Sequence, residues 1–195
     1  IFANVLGVSN LGKYYVILAL SETIASPTDG VSIYIEHIVG RNPREKIGGI
    51  ISTGIIINTL LPIILSLFVT IGYIFIPTIS EYLTDLQFIL LIFMTISYSL
   101  KFTFLSVYSG LGNPSNSIFI SSGEGFIQTI IQIVLLMIFG ISGLLMGTII
   151  ANTVVILYIS IKPSISIKRP EIDFKYGLDY TKWSIITYTS KSIYD

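Results

Sequence analysis

Five long apolar stretches follow one another along these 195 residues, and short polar breaks separate them. A spanning helix needs about 20 predominantly apolar residues. The stretches run roughly from Tyr14 to Ile35 (segment A), Ile50 to Ile76 (B), Phe88 to Gly110 (C), Ile118 to Phe139 (D) and Leu144 to Ile161 (E). At 1.5 Å per residue, segment B reaches about 40 Å against a hydrocarbon core of about 30 Å, so it tilts or bends at Pro62. Composition agrees: 11% of residues are charged, where a soluble domain carries about 25%. The expected fold class is all-α, a polytopic transmembrane helix bundle.

The same residues exclude several functions. Formal net charge is zero, which argues against a nucleic-acid binder. Without cysteine there are neither disulfides nor thiolate metal sites. The single histidine, His37, lies beside Glu36 and ahead of Arg41 and lacks partners at metal-ligand spacing. No Gly-rich loop leads into Lys-Ser or Lys-Thr, so no nucleotide-driven motor is encoded here. No Ser–His–Asp set can be assembled around a loop histidine. The chain is expected to be no enzyme and to hold no cofactor. Ile1–Gly7 lacks the basic region and cleavage site of a secretory signal, and Ile185–Tyr194 starts another mildly apolar run. Both observations suggest an internal piece of a longer polypeptide.

Loop charges set the expected orientation. Arg41, Arg44 and Lys46 lie between A and B, and Lys162, Lys168, Arg169 and Lys175 follow E. The B–C loop holds Glu81 and Asp85 without a basic residue, and the D–E turn, Gly140–Gly143, is uncharged. Basic loops stay cytoplasmic, so A–B and the linker after E are inside, with B–C and D–E outside. Only Lys13 falls on the wrong side. Three parts result: residues 1–161, a transmembrane lobe; 162–180, a basic cytoplasmic linker; and 181–195, the start of a further helix.

Charges at bilayer depth are the candidate functional residues, because each costs roughly 2.5–3.5 kcal/mol on insertion scales. On a helix, steps of three, four and seven return to one face. Segment A aligns Glu22, Ser26, Asp29 and Glu36; C aligns Ser97, Lys101 and Tyr108; D aligns Ser117, Ser121, Glu124, Gln128 and Gln132. Counted from the tight C–D turn, Lys101 and Glu124 sit at matching depths of roughly 12–13 Å, which predicts an ion pair or a shared water. Asp29 is expected somewhat closer to the cytoplasm. In B, Gly54, Asn58 and Pro62 form a polar, bendable spot. Gly143, Gly147 and Ala151 make a small-residue ridge suited to close helix packing, with Asn152 beside it able to bond across the bundle. The substrate or ion pathway is expected to involve Glu22, Asp29, Lys101, Glu124, Gln128 and Asn58. The competing reading is structural: Ser and Thr bond back to their own helix, Gln and Asn glue helices, and the charges pair.

The run Leu6-Gly7-Val8-Ser9-Asn10-Leu11-Gly12-Lys13-Tyr14 resembles the Leu-Gly-x-x-x-x-Gly-x-Tyr entry to the second helix of polysaccharide flippases. These are the O-antigen-type members of the multidrug/oligosaccharidyl-lipid/polysaccharide exporter superfamily. Asp29-Gly30 late in that helix, the short basic loop with Arg41, the Gly140–Gly147 turn and the basic linker Lys162–Lys175 are similar in order and spacing. The resemblance implies most of one six-helix lobe, from the end of helix 1 through helices 2–6, of a two-lobe carrier of 12–14 helices. It also implies a function: moving a polyprenyl phosphate-linked oligosaccharide across the cytoplasmic membrane for surface polysaccharide synthesis. Implied partners are the lipid-linked glycan, membrane lipids and the missing C-terminal lobe, with no nucleic acid; a proton or sodium ion is the implied coupling ion. The alternatives are a cation-coupled multidrug exporter of the same superfamily, a membrane-embedded glycosyltransferase or polymerase, and a non-transporting scaffold.

Overall fold

The computed structural model describes residues 2–41, 44–75 and 83–161, and these form helices joined by short turns, with no strand among them. The helices are α1 (Phe2–Arg41), α2 (Arg44–Phe75), α3 (Asp85–Gly110), α4 (Pro114–Phe139) and α5 (Ile141–Ser160). Segments B to E match α2 to α5 within a few residues at nearly every end. The expected linker 162–180, the further helix from 181, and Glu81 of the B–C loop lie outside the described residues.

Helix ends follow local chemistry. Thr84 starts α3 with a reciprocal cap: the Gln87 N–H donates to Thr84 Oγ1 at 3.3 Å, and the Thr84 N–H donates to Gln87 Oε1 at 3.2 Å. Pro114 opens α4, where its missing N–H costs nothing. Gly140, at φ +59°, is the sole break between α4 and α5. The expected turn Gly140–Gly143 therefore shrinks to one residue, and the rest joins α5.

Segment A needs a larger correction. Its helix extends back past Tyr14, and Phe2–Leu6 is joined to it through a one-residue hinge at Gly7, which takes φ 75° and ψ 161°. Within α1, Pro27 cannot donate to the Thr23 carbonyl, and the Ser26 hydroxyl donates there instead at 3.0 Å. In α2 the helix runs on through Pro62.

Bonds between helices give their directions. Thr95 donates to Ser21, Thr28 donates to Ser99, and Ser109 donates to Glu36, so rising numbers in α1 meet rising numbers in α3. These two helices run parallel. Asn152 of α5 bonds Ser97, and Leu144 and Ile159 join the clusters that hold Leu91 and Val107, so α5 runs the same way. α2 and α4 run opposite, as Gly54 near Ile35 with Tyr73 near Asp85, and Ser117 near Leu105 with Glu124 near Lys101, make clear. α3 is the central helix and packs against all four others.

Among the described residues four helices are long and apolar enough to cross a membrane: Ile47–Phe75, Asp85–Gly110, Pro114–Phe139 and Ile141–Ser160. α1 does not qualify, because Glu22, Asp29, Pro27 and their hydroxyl neighbours dilute it. Segment A was expected to be a fifth span on composition; composition yields four. α1 nevertheless lies beside α3 from the level of Thr95 to that of Ser109. Of the lobe's first helix only the end was expected here, and Phe2–Leu6, hinged at Gly7, is the helical piece at that place.

The ridge on α5 does what the sequence suggested. A Cβ at Gly143 would collide with the Leu135 carbonyl of α4, and one at Gly147 would meet Gln132 Cγ at 2.7 Å. The α4–α5 hairpin closes at this contact, backbone nearly on backbone.

Candidate functional site

Two apolar clusters occupy the two ends of the bundle, and the polar residues fall between them. One cluster gathers Tyr14, Ile17, Leu91, Met94, Leu144 and Leu145; the other gathers Val31, Ile35, Ile51, Phe104, Val107 and Ile159. In every helix the gap is polar: Thr28 in α1, Asn58 in α2, Thr95 to Thr103 in α3, Glu124 to Gln132 in α4, Thr148 and Asn152 in α5. The result is a belt of hydrophilic side chains at the middle of the helices, buried from the outside. It has two unlike halves.

The first half is a seam of neutral groups where α1, α2 and α3 meet. Thr95 donates to Ser21 at 3.2 Å, Thr28 donates to Ser99 at 3.1 Å, and the Asn58 amide donates to Ser32 at 3.0 Å and Thr103 at 2.6 Å. Asn58 is fully buried there, and its Oδ1 has no partner. Asn58 thus ties three helices together and is not brought to the charged residues. The faces responsible, Ser21/Thr28/Ser32 and Thr95/Ser99/Thr103, were missed in the sequence, where the more polar neighbours drew attention. Their only signal was hydroxyls at steps of four and seven on two helices.

The second half holds the charge. Lys101 Nζ donates to Glu124 Oε1 at 2.9 Å, with the side chains 11% and 4% exposed. The ion pair expected from the C–D turn is present. The ammonium also lies 4.9 Å from the Tyr98 ring centre and 5.4 Å from that of Phe102. Glu124 faces inward with Gln132, which donates to Thr148 at 3.0 Å and to the Tyr14 hydroxyl at 3.2 Å. Gln128 donates to Thr148 at 3.2 Å and is half-buried; it glues α4 to α5 beside the pair. Asn152 bonds Ser97 as expected. Ser121 is exposed, and Tyr108 packs against the apolar cluster of the Gly110 end.

Segment A's acidic stripe lies at the edge of this site. The buried face of α1 is one residue earlier, at Ser21, Thr28 and Ile35 rather than Glu22, Asp29 and Glu36, a rotation of about 100°. Glu22 is exposed, while Asp29 and Glu36 are half-buried. Glu36 accepts from Ser109 at 2.6 Å. Tyr98, Phe102 and Ser109 share a face of α3 by steps of four and seven, so the acidic flank of α1 opens on the side of those rings. The Thr28–Ser99 and Ser32–Asn58–Thr103 bonds put Asp29 at the level of Lys101. It is not nearer the Gly110 end, as loop counting suggested. Glu22 stands apart, about two turns away along the helix.

On its other side Glu124 borders a groove of about 230 Å³ between α4 and α5, lined by Phe119, Ile120, Ile127, Val154, Val155 and Tyr158. Glu124 supplies the only charged group on that wall. Set against protein-family models, curated proteins and solved structures, the chain matches none. What the fold defines, among the described residues, is an all-helical arrangement with four helices long and apolar enough to cross a membrane.

Proposed function

We propose that this chain is part of a multi-pass carrier in the cytoplasmic membrane that moves a lipid-linked oligosaccharide, attached to polyprenyl phosphate, from the inner to the outer leaflet. The observation that carries the reading is the Lys101–Glu124 pair within a polar belt halfway along apolar helices. Charge buried at that depth is expensive, and carriers place substrate and coupling-ion sites near the bilayer midplane. In this reading the Gly110 end faces the cytoplasm, because the basic loops stay inside. Lys101 attracts the phosphate or acidic sugars. Glu22, Asp29 and Glu124 serve proton or sodium coupling, and Gln128 and neighbouring hydroxyls meet sugar hydroxyls. Alternating access requires a second lobe, supplied by the rest of the polypeptide. The order of Leu6–Tyr14, Asp29-Gly30, Arg41 and Gly140–Gly147 along the chain supports the flippase assignment over its alternatives.

The test is Lys101→Ala in the complete gene, with cell-surface glycan as the readout. Export is expected to fall to background; unchanged export at normal protein levels removes Lys101 from the mechanism. A second reading, the cation-coupled multidrug exporter, has one observation in its favour. Lys101 is already neutralised by Glu124, while Glu22 and Asp29 flank the side on which the Tyr98 and Phe102 rings lie, a combination that suits aromatic cations. Under that reading deletion sensitises cells to cationic drugs and leaves surface glycan intact.

A further inference from the structure

We infer that Glu124 is a proton-dependent stand-in for an anionic ligand: once protonated it leaves Lys101 for the α4–α5 groove, and the phosphate of a lipid-like ligand takes its place at the ammonium. This rests on the carrier reading above and adds how the site exchanges its occupants.

Electroneutrality drives the exchange. With Lys101 and Glu124 paired, the buried site sums to zero charge. Adding a phosphodiester to that pair leaves a buried net negative charge, which a low-dielectric interior strongly disfavours. Adding a proton to Glu124 together with the phosphodiester restores zero: the ammonium keeps its proton, the carboxylate becomes a neutral acid, and the phosphate oxygen accepts the hydrogen bond that the carboxylate gave up. One proton enters for each negative charge bound, and no covalent bond other than the acid's O–H forms.

The geometry provides both positions for the carboxyl. Its charged position is against Lys101 at 2.9 Å. Its neutral position is the adjoining groove, about 230 Å³ and walled by Ile120, Ile127, Val154 and Val155, where a neutral acid is far less costly than a carboxylate. The flanking residues, Gly123 and Gly125, carry no side chains, so neither neighbour in sequence adds bulk beside the carboxyl.

The titratable groups around this carboxyl are few. α3 brings Lys101 and Tyr98, α5 brings Tyr158 on the groove wall, and α1 brings Asp29 at the same level. Among the described residues α2 brings none at this level; its Tyr73 donates to Asp85 at the far end. Asp29 is the one rival as proton acceptor.

The experiment uses the full-length protein in nanodiscs and a singly charged isoprenyl phosphodiester, whose own charge is constant from pH 5 to 8, with uncharged farnesol as control. Calorimetry in buffers of different ionisation enthalpy counts protons. The wild type is expected to take up one proton per ligand and, by linkage, to weaken about tenfold for each pH unit over which that uptake holds. Glu124→Gln is expected to bind tightly at every pH with no proton uptake, and the neutral pair Lys101→Gln/Glu124→Gln to bind no better than farnesol does. A pH slope that survives in Glu124→Gln, or that vanishes in Asp29→Asn, overturns the exchange while leaving a Lys101 anion site standing. Equal binding by the neutral pair and Glu124→Gln removes Lys101 as the anion site, and the carrier reading loses its main support with it.

Discussion

The two halves of the polar belt solve the same problem in different ways. Between α1, α2 and α3, short hydroxyls and one amide bond one another across fully packed helices. No charge is buried there, and almost every donor has a partner. Between α3 and α4 a lysine and a glutamate meet with half-exposed rings on one side and a groove on the other. The first arrangement suits permanent contact, since neutral bonds between membrane helices are individually weak and tolerate close packing. The second costs more to assemble than an apolar contact of equal volume and comes with space to rearrange. On the carrier reading, glue and working part are separated within one layer of the molecule, on opposite sides of α3.

This contrast can be broken at several points. The largest effect belongs to the charged half. Lys101→Ala leaves a buried carboxylate without its partner and is expected to cost about 3–5 kcal/mol of stability, while Lys101→Met/Glu124→Leu costs little or gains. Reversible unfolding in detergent reads both, and export then separates them: the apolar pair should be stable and inactive. Should the apolar pair transport normally, the ion pair is structural after all.

Next comes the hairpin. Gly143→Ala sets a methyl against the Leu135 backbone and is expected to lose about 1–3 kcal/mol, a typical cost of overpacking. A neutral result would mean α4 and α5 are more loosely joined than the contact implies. In the seam, Asn58→Ala and Thr28→Val are each expected to cost about 0.6–1.7 kcal/mol, the range for hydrogen bonds between membrane helices. If Asn58→Ala abolished transport without touching stability, the division between glue and working part would be wrong.

The smallest effect on stability lies at Glu22, where Glu22→Gln is expected to stay within about 0.5 kcal/mol. Accessibility sharpens this position. The chain has no cysteine of its own, so Glu22→Cys and Ile130→Cys can be compared directly with a membrane-impermeant maleimide. Labelling at 22 and silence at 130 is expected if the acidic flank of α1 faces water while the exposed apolar side of α4 faces lipid. Equal silence at both would deprive the proposed carrier of its aqueous face.

Several features were readable before any coordinates. Runs of Ile, Leu, Val and Phe dictate helices long enough to span, because an unpaired backbone has no water to bond within lipid. The Lys101–Glu124 pair was legible because a three-residue turn, Leu111–Asn113, fixes two antiparallel helices at equal depth, a purely local geometry. The Gly143 and Gly147 ridge was legible for the same reason, since its partner helix is the one immediately before it. The buried side of α1 was not legible. Ser21 and Glu22, or Thr28 and Asp29, are adjacent in sequence yet about 100° apart, and a hydroxyl is a weaker mark than a carboxylate.

Sequence by itself determined which segments are helical, where charge enters the apolar layer, and what lies next to what across a tight turn. Only the tertiary structure decided that α1 turns its hydroxyls to α3 and that Asp29 stands level with Lys101. Those helices are parallel and separated by about seventy positions of chain, so no turn sets their register. It is set by Thr95, Ser99 and Thr103 finding complementary hydroxyls and an amide, and by Gly110 admitting the Glu36 backbone, contacts that exist only once the bundle has closed.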